Sequence, residues 1–224
     1  MYDIVFISYN EFEAEQNWED LKKRFPRAKR VDGVKGIHQA HITAAKKCFT
    51  KMFWVVDADA KVLDTFDFSY KVNEFDLETV HVWRSQNPIN GLVYGYGGIK
   101  LLPRKLTINM DTSKPDMTTS ISKHFKPMQE IANITAFNTD EFSTWRSAFR
   151  ECAKLSSKSI QGQIDEETEE RLTAWTTNSY GNFSEYALRG AWAGMEFGLS
   201  NSNDIQLIND FDWLYERFQQ NTLG

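Results

Sequence analysis

Two hydrophobic periods alternate over the first sixty residues, and the switch between them marks out the elements. Asp3–Tyr9 is a run rich in Ile, Val and Phe, which predicts a strand. Glu13–Arg24 has helical composition and stops ahead of Pro26. Ala28–Val31 predicts a short second strand that closes at Asp32-Gly33. Ile37, Ala40, His41, Ala44, Ala45 and Cys48 are spaced for one buried stripe of a helix over Ile37–Thr50. Met52–Val56 predicts a third strand. The order β-α-β-α-β implies a parallel sheet with helices packed on its faces. Ligands of such sheets bind beyond the carboxyl ends of the strands. The ends here are Ser8-Tyr9-Asn10-Glu11, Asp32-Gly33 and Asp57-Ala58-Asp59, all polar and expected to converge on one crevice.

Past residue 60 the texture changes. Phe66–Tyr70, Thr79–Trp83 and Gly91–Tyr94 read as strands without long helices between them, which predicts an antiparallel or mixed extension. Gly95-Tyr96-Gly97-Gly98 opens into a further strand over Ile99–Leu102. Residues 106–127, irregular and polar with Pro115 and Pro127, are expected to form a flap. Phe142–Leu155 predicts the clearest helix, with Asp140 and Glu141 at its start and Lys154 near its end, as the helix dipole favours. A polar, acidic loop over 156–170 runs into a helix, and Ser184–Met195 and Asp210–Gln219 predict closing helices.

Composition narrows the class. A chain of 224 residues supports one substantial core, so a single domain is expected. No apolar run approaches the length of a membrane span, and Met-Tyr-Asp-Ile-Val-Phe lacks the basic lead of a signal peptide. The expectation is a soluble, cytoplasmic protein with no membrane partner. The two cysteines, Cys48 and Cys152, have no metal or redox spacing and read as free thiols. The net charge of −5 argues against a dedicated nucleic-acid binder, yet Lys22, Lys23, Arg24, Arg27, Lys29, Arg30 and Lys35 crowd one segment. Lys100, Arg104 and Lys105 form a second basic cluster. Such clusters are ordinarily solvated helix ends; they also let an acidic chain face a polyanion locally.

The chemistry centres on Asp57 and Asp59. Residues two apart on an extended chain can point the same way, and two carboxylates suit a hard divalent cation, Mg2+ or Mn2+, with room left for phosphate oxygens. The bland alternative is a solvated turn after a strand. Tyr9 can stack on a base, and Asn10 or Glu11 can bond a ribose or base edge; ordinary loop polarity explains each as well. Lys35, beside Gly36 at a helix start, can reach a diphosphate. His38 is read as either a phosphate donor or, preferably, a helix-capping side chain. Gly95, Gly97 and Gly98 permit either a close backbone approach to a ligand or a tight turn. Trp83 is read as core and Arg84 as a residue bordering a pocket.

With these residues in place, the chain resembles the GT-A glycosyltransferases. The resemblance rests on Ile-Ser-Tyr-Asn-Glu (7–11), Asp32, Val-Val-Asp-Ala-Asp (55–59), Gly-Tyr-Gly-Gly (95–98) and Asn-Thr-Asp-Glu-Phe-Ser-Thr-Trp-Arg (138–146). The last of these, within Phe-Asn-Thr-Asp-Glu-Phe-Ser-Thr-Trp-Arg-Ser-Ala-Phe-Arg-Glu, is similar to small glycosyltransferases of tailed phages, some of which add sugars to hydroxylated cytosine in phage DNA. The resemblance implies an α/β, Rossmann-like GT-A mixed sheet with helices on both faces. Residues 1–60 would be a nucleotide-binding half and 61–224 an acceptor half. It implies a nucleotide-sugar donor, a UDP-sugar first, and a DNA acceptor. Asp59 would be the direct metal ligand and Asp57 would bridge. Asp32 would accept from a uracil imide, and Asp140, then Glu141, then Glu185, would be the catalytic base of an inverting enzyme. A retaining enzyme needs no such base.

Two other classes compete. A haloacid-dehalogenase-like phosphatase also uses Asp-x-Asp after a buried strand; here Lys61 stands where Thr or Val usually follows, and the pair comes late in the chain. A non-catalytic nucleotide-binding module on the same scaffold is the other. A dinucleotide oxidoreductase is disfavoured because no Gly-x-Gly-x-x-Gly follows the first strand.

Overall fold

The computed structural model describes residues 1–95, 97–159 and 163–222. Contacts gather them into two compact units. The first takes 1–86, 93–113 and 117–136; the second takes 87–92, 114–116 and the residues from 137 onward.

The first unit is an α/β structure on a mixed sheet. It opens with β1 (Asp3–Ser8), α1 (Ala14–Arg24), β2 (Lys29–Asp32), α2 (Ile37–Lys46) and β3 (Met52–Asp57). β4 (Ala60–Val62), β5 (Val80–Gln86), β6 (Val93–Tyr94) and β7 (Ile99–Pro103) follow. The short helices α3 (Arg104–Ile108) and α4 (Met117–Ile121) then lead into β8 (Phe125–Thr135). The strand order is β2-β1-β3-β7-β5-β8-β4, with β6 beside β5. β1 pairs parallel with β2 and β3, as the alternating pattern requires, while β7 is antiparallel to both β3 and β5.

Both faces of the sheet are buried, and successive residues divide between them. Ile4 and Phe6 of β1 and Met52, Trp54 and Val56 of β3 join one core with Leu21 of α1. Val5, Phe53 and Val55 join the other with Ala44, Ala45 and Cys48, and with Met117 and Ile121. Burial pushes the Cys48 thiol up to about 12, so it is an inert core group, and Cys152 is likewise free and buried.

Two expectations are corrected, and one strand carries no clear sequence signal. Phe66–Tyr70 is not a strand: Phe66 and Phe68 turn edge-on into Trp54, and Tyr70 packs on Trp83, so aromatic burial replaced a backbone ladder. Residues 106–127 are not an irregular flap but hold α4 and the start of β8, anchored by apolar Met117 and Ile121. β8 leaves no strand pattern in the sequence because Pro127 and the polar Lys126, Gln129 and Glu130 mask its pairing with β5. Trp83 is core, as expected.

The second unit is helical: α5 (Glu141–Ser156), α6 (Asp165–Thr177), α7 (Ser184–Ser200) and α8 (Phe211–Thr222). Trp145, Phe149 and Phe197 form its core with Ile208 and Leu214. α5 and α7 approach closely because Gly190, Gly194 and Gly198 face α5. A methyl on these glycines would lie 2.3, 2.2 and 2.4 Å from the carbonyl oxygens of Trp145, Phe149 and Ala153. Among the described residues, no helix is long and apolar enough to cross a membrane.

Gly194→Val should force α5 and α7 apart at a cost of about 1–3 kcal/mol. A lowered melting temperature in scanning fluorimetry, with unchanged mass, is the expected readout.

Candidate functional site

The parallel register of β1, β2 and β3 brings their carboxyl ends to one edge of the first unit. Ser8 is level with Asp32, and Ile7 with Asp57. Because β7 runs the other way, its opening residues Gly97 and Gly98 reach the same edge, where the Gly98 carbonyl accepts the Asp57 amide at 2.9 Å. Tyr96 of the glycine motif lies outside the described residues.

Asp57 ends β3, and Ala58 and Asp59 form the turn into β4. The turn is held from both sides: the buried Asn17 of α1 donates to the Ala58 carbonyl at 2.8 Å, and the Asp59 carbonyl accepts the Ala136 amide at 2.6 Å. Both aspartates are half-buried, so they are set in the edge without being sealed from solvent.

The residue that sequence reasoning undervalued is Lys100. It lies in β7 between Ile99 and Leu101, 3% exposed, with its side chain on the α2 face of the sheet. A buried ammonium needs an anion. Lys100 finds Asp57 Oδ2 at 2.7 Å and also donates to the Gly97 carbonyl. Gly97 sits at φ 88°, a backbone state that favours glycine, and this lets its carbonyl turn toward the ammonium. The warning in the sequence was a lysine inside an apolar strand.

Lys100 has a second neighbour. His41 is fully buried on α2, its Nδ1 2.8 Å from the Ile37 carbonyl. Burial, and then the Lys100 charge, bring the imidazole pKa down to about 3, so His41 is neutral at ordinary pH.

Gly98 backs onto a buried polar cluster. Ser85 and Thr135 hydroxyls lie 2.6 Å apart, and Asn133 Nδ2 donates to both at 3.0 and 3.2 Å. A methyl on Gly98 would meet Asn133 Nδ2 at 2.6 Å, so the close approach of β7 to this cluster is what requires glycine.

The remaining candidates of the first unit share the edge. Tyr9 and Asn10 are exposed, and the Tyr9 amide donates to Glu11 Oε2 at 2.7 Å, which folds Glu11 back over the loop. Asp32 is exposed, with Oδ1 accepting the Ser8 hydroxyl at 2.6 Å and Arg30 at 3.4 Å. Lys35 is exposed between Gly33 and Gly36, whose φ values of 69° and 93° set the bend into α2. His38 does not cap α2; its Nε2 lies 3.1 Å from the Ser120 hydroxyl of α4. The tie to α4 has a plain cause: both helices pack on one face of the sheet.

Asp140 and Glu141 belong to the second unit. Asp140 caps α5, its Oδ1 accepting the Ser143 amide at 2.7 Å, the structural role its position allows. Glu141 accepts from the Tyr186 hydroxyl, a bond that raises the tyrosine pKa. Glu185 lies in the first turn of α7.

The aspartates offer oxygen donors only, the chemistry a hard divalent cation takes. Lys100 occupies Oδ2 of Asp57, so the oxygens that could hold Mg2+ or Mn2+ here are those of Asp59 and the other oxygen of Asp57. Among the described residues, no group of three or more His, Cys, Asp and Glu gathers at one point. An ion held by one or two carboxylates and substrate phosphates needs no such cage.

Compared with protein-family models and with curated proteins, the sequence matches none.

Stability should fall as pH drops from 6.5 toward 3, because the unfolded chain protonates His41 at its ordinary 6.5 while the folded chain resists until about 3. His81, also lowered by burial, acts in the same direction. Asp3 enters only below 3.8. Burial alone would raise its carboxyl, but Lys29 and the Phe49 and Thr50 amides outweigh that and hold it at about 2. Urea unfolding between pH 6.5 and 4 should therefore show a slope that His41→Leu reduces.

Proposed function

We propose that the protein is a metal-dependent glycosyltransferase of GT-A type, moving a sugar from a nucleotide-diphosphate sugar, a UDP-sugar first, to a hydroxyl acceptor. The proposed acceptor is hydroxylated cytosine in DNA. One observation carries the reading: Asp57 and Asp59 sit at the carboxyl end of a central strand, between the β1 loop and the Gly97-Gly98 turn. The basic segments around Lys22–Arg30 and Lys100–Lys105 are the sequence features that favour a polyanionic acceptor. Lys100 itself is buried against Asp57 and is not part of an exposed basic patch.

In this reading Asp59, with Asp57, holds Mg2+ or Mn2+. Such an ion, when bound, stabilises the negative charge that grows on a departing diphosphate. Lys100 fixes the Asp57 carboxylate in one orientation and keeps positive charge beneath it. The bend at Gly33 and Gly36 leaves Lys35 exposed ahead of α2, where it would meet phosphate oxygens. Tyr9 offers a ring for the base, and Asp32, already ordered by Ser8, an acceptor for a base N–H. Gly97 would let the donor approach the backbone, while Gly98 behind it is buried against Asn133. Asp140, or else Glu141, would take the acceptor proton.

A phosphatase reading, with Asp57 as nucleophile and Asp59 as acid, draws on a different observation. The ammonium of Lys100 beside Asp57 would offset the charge of an incoming phosphate.

Mn2+-dependent hydrolysis of a UDP-sugar panel, and transfer to hydroxymethylated DNA, are the tests. Asp59→Ala should lower both by about 10²–10³-fold with the melting temperature unchanged. Donor hydrolysis without transfer to DNA would remove the acceptor assignment. Hydrolysis of a generic phosphate ester, with UDP-sugars untouched, would favour the phosphatase.

Asp140→Asn tests the base separately. Asn caps a helix about as well as Asp, so the variant should fold normally and lose transfer; retained transfer would leave Asp140 with its capping role alone.

A further inference from the structure

α7 has two unlike faces. Gly190, Gly194 and Gly198 turn toward α5, and the opposite face carries Leu188, Trp192, Met195 and Leu199. Their spacing of four, three and four residues is the repeat of a two-helix seam. Trp192 is 55% and Leu199 68% exposed, with Leu188 and Met195 half-buried. They line an apolar groove of about 740 Å³. A contiguous apolar stripe that includes an exposed tryptophan marks an interaction surface.

The flanking charges select the partner. Arg189 and Glu196 lie one heptad apart on the solvent flank of the stripe; the other flank is Ala191 and Gly198, buried within the unit. In an antiparallel pairing of two α7 helices, one register sets Leu188 against Leu199 of the second copy and Trp192 against its Met195. That same register brings Arg189 opposite Glu196 of the second copy, and two-fold symmetry repeats the pair. A parallel pairing would stack Trp192 on Trp192 and turn each charge toward the buried small flank, where no counter-charge stands. We infer that α7 is the interface of an antiparallel, two-fold homodimer, and that a second copy of this chain fills the groove. The seam is about three helical turns long, which puts it at the low end of specific interfaces, below about 1,200 Å² in total. Association is therefore reversible and follows concentration.

Sedimentation velocity on the full chain, from low to high micromolar, tests this. The mass should move from 26.0 kDa toward twice that value. Trp192→Glu should stay monomeric throughout, with circular dichroism reporting intact helices; Leu199→Lys, at a more exposed position, serves if Trp192→Glu does not fold. Arg189→Glu and Glu196→Arg should each weaken the dimer at least about fivefold, since each sets like charges together twice. The double swap should restore wild-type association. A chain monomeric at every concentration overturns the inference. So does a dimer indifferent to Trp192→Glu, or a double swap as weak as the single ones. Cosedimentation of a monomer with phosphatidylcholine–phosphatidylglycerol vesicles would instead assign the stripe to a lipid surface.

Discussion

A positive charge inside a sheet has to be answered, and the contact between Lys100 and Asp57 answers it. The pair ties β7 to the end of β3 at 2.7 Å, draws the Gly97 carbonyl inward and helps keep His41 uncharged. Removing one partner of a fully buried pair costs about 3–5 kcal/mol; the cost here is smaller because Asp57 is partly open to water. The pair also explains why two neighbouring aspartates differ. Asp57 is held from beneath by an ammonium, whereas Asp59 sits in the turn that Asn17 and Ala136 secure through the backbone. Identical side chains two residues apart are therefore held differently: Asp57 by an ammonium against its carboxylate, Asp59 through the backbone of its turn.

The first sixty residues were legible because burial on both faces leaves a simple trace. The apolar runs of β1 and β3, the helical stripe of α2, and the stops at Pro26 and Gly33 all point to one arrangement, and the register of the parallel strands follows it. The converging ends were legible for the same reason. Beyond residue 60 the cues conflict. Phe66 and Phe68 have strand composition, but their rings serve a core of Trp54 and Trp83. β8 carries proline and charge over its first half, then Ala132, Asn133 and Thr135 in its buried half. Periodicity cannot join halves with such different surroundings.

At the site, the residue types that sequence reasoning favours were found, and their partners were not. Asp32, Tyr9 and Asp57 stand where the strand ends put them. Ser8 and Arg30, which hold Asp32, and Lys100, which holds Asp57, come from separate elements, and only Lys100, a lysine inside an apolar strand, leaves a local trace. Asp140 shows the reverse case. Its place before a helix reads equally as cap or base, and the bond to the Ser143 amide gives it the first role without addressing the second.

Burial of Lys100 also decides how the molecule responds to electrolyte. Counter-ions reach the exposed bridge between Lys158 and Asp165 and weaken it, but they cannot crowd around an ammonium that water scarcely touches. Concentrated salt should strip the periphery of its ionic contacts and leave the contact between Lys100 and Asp57 as it was. Any loss of stability in brine would then report on the surface alone, not on a break between Lys100 and Asp57.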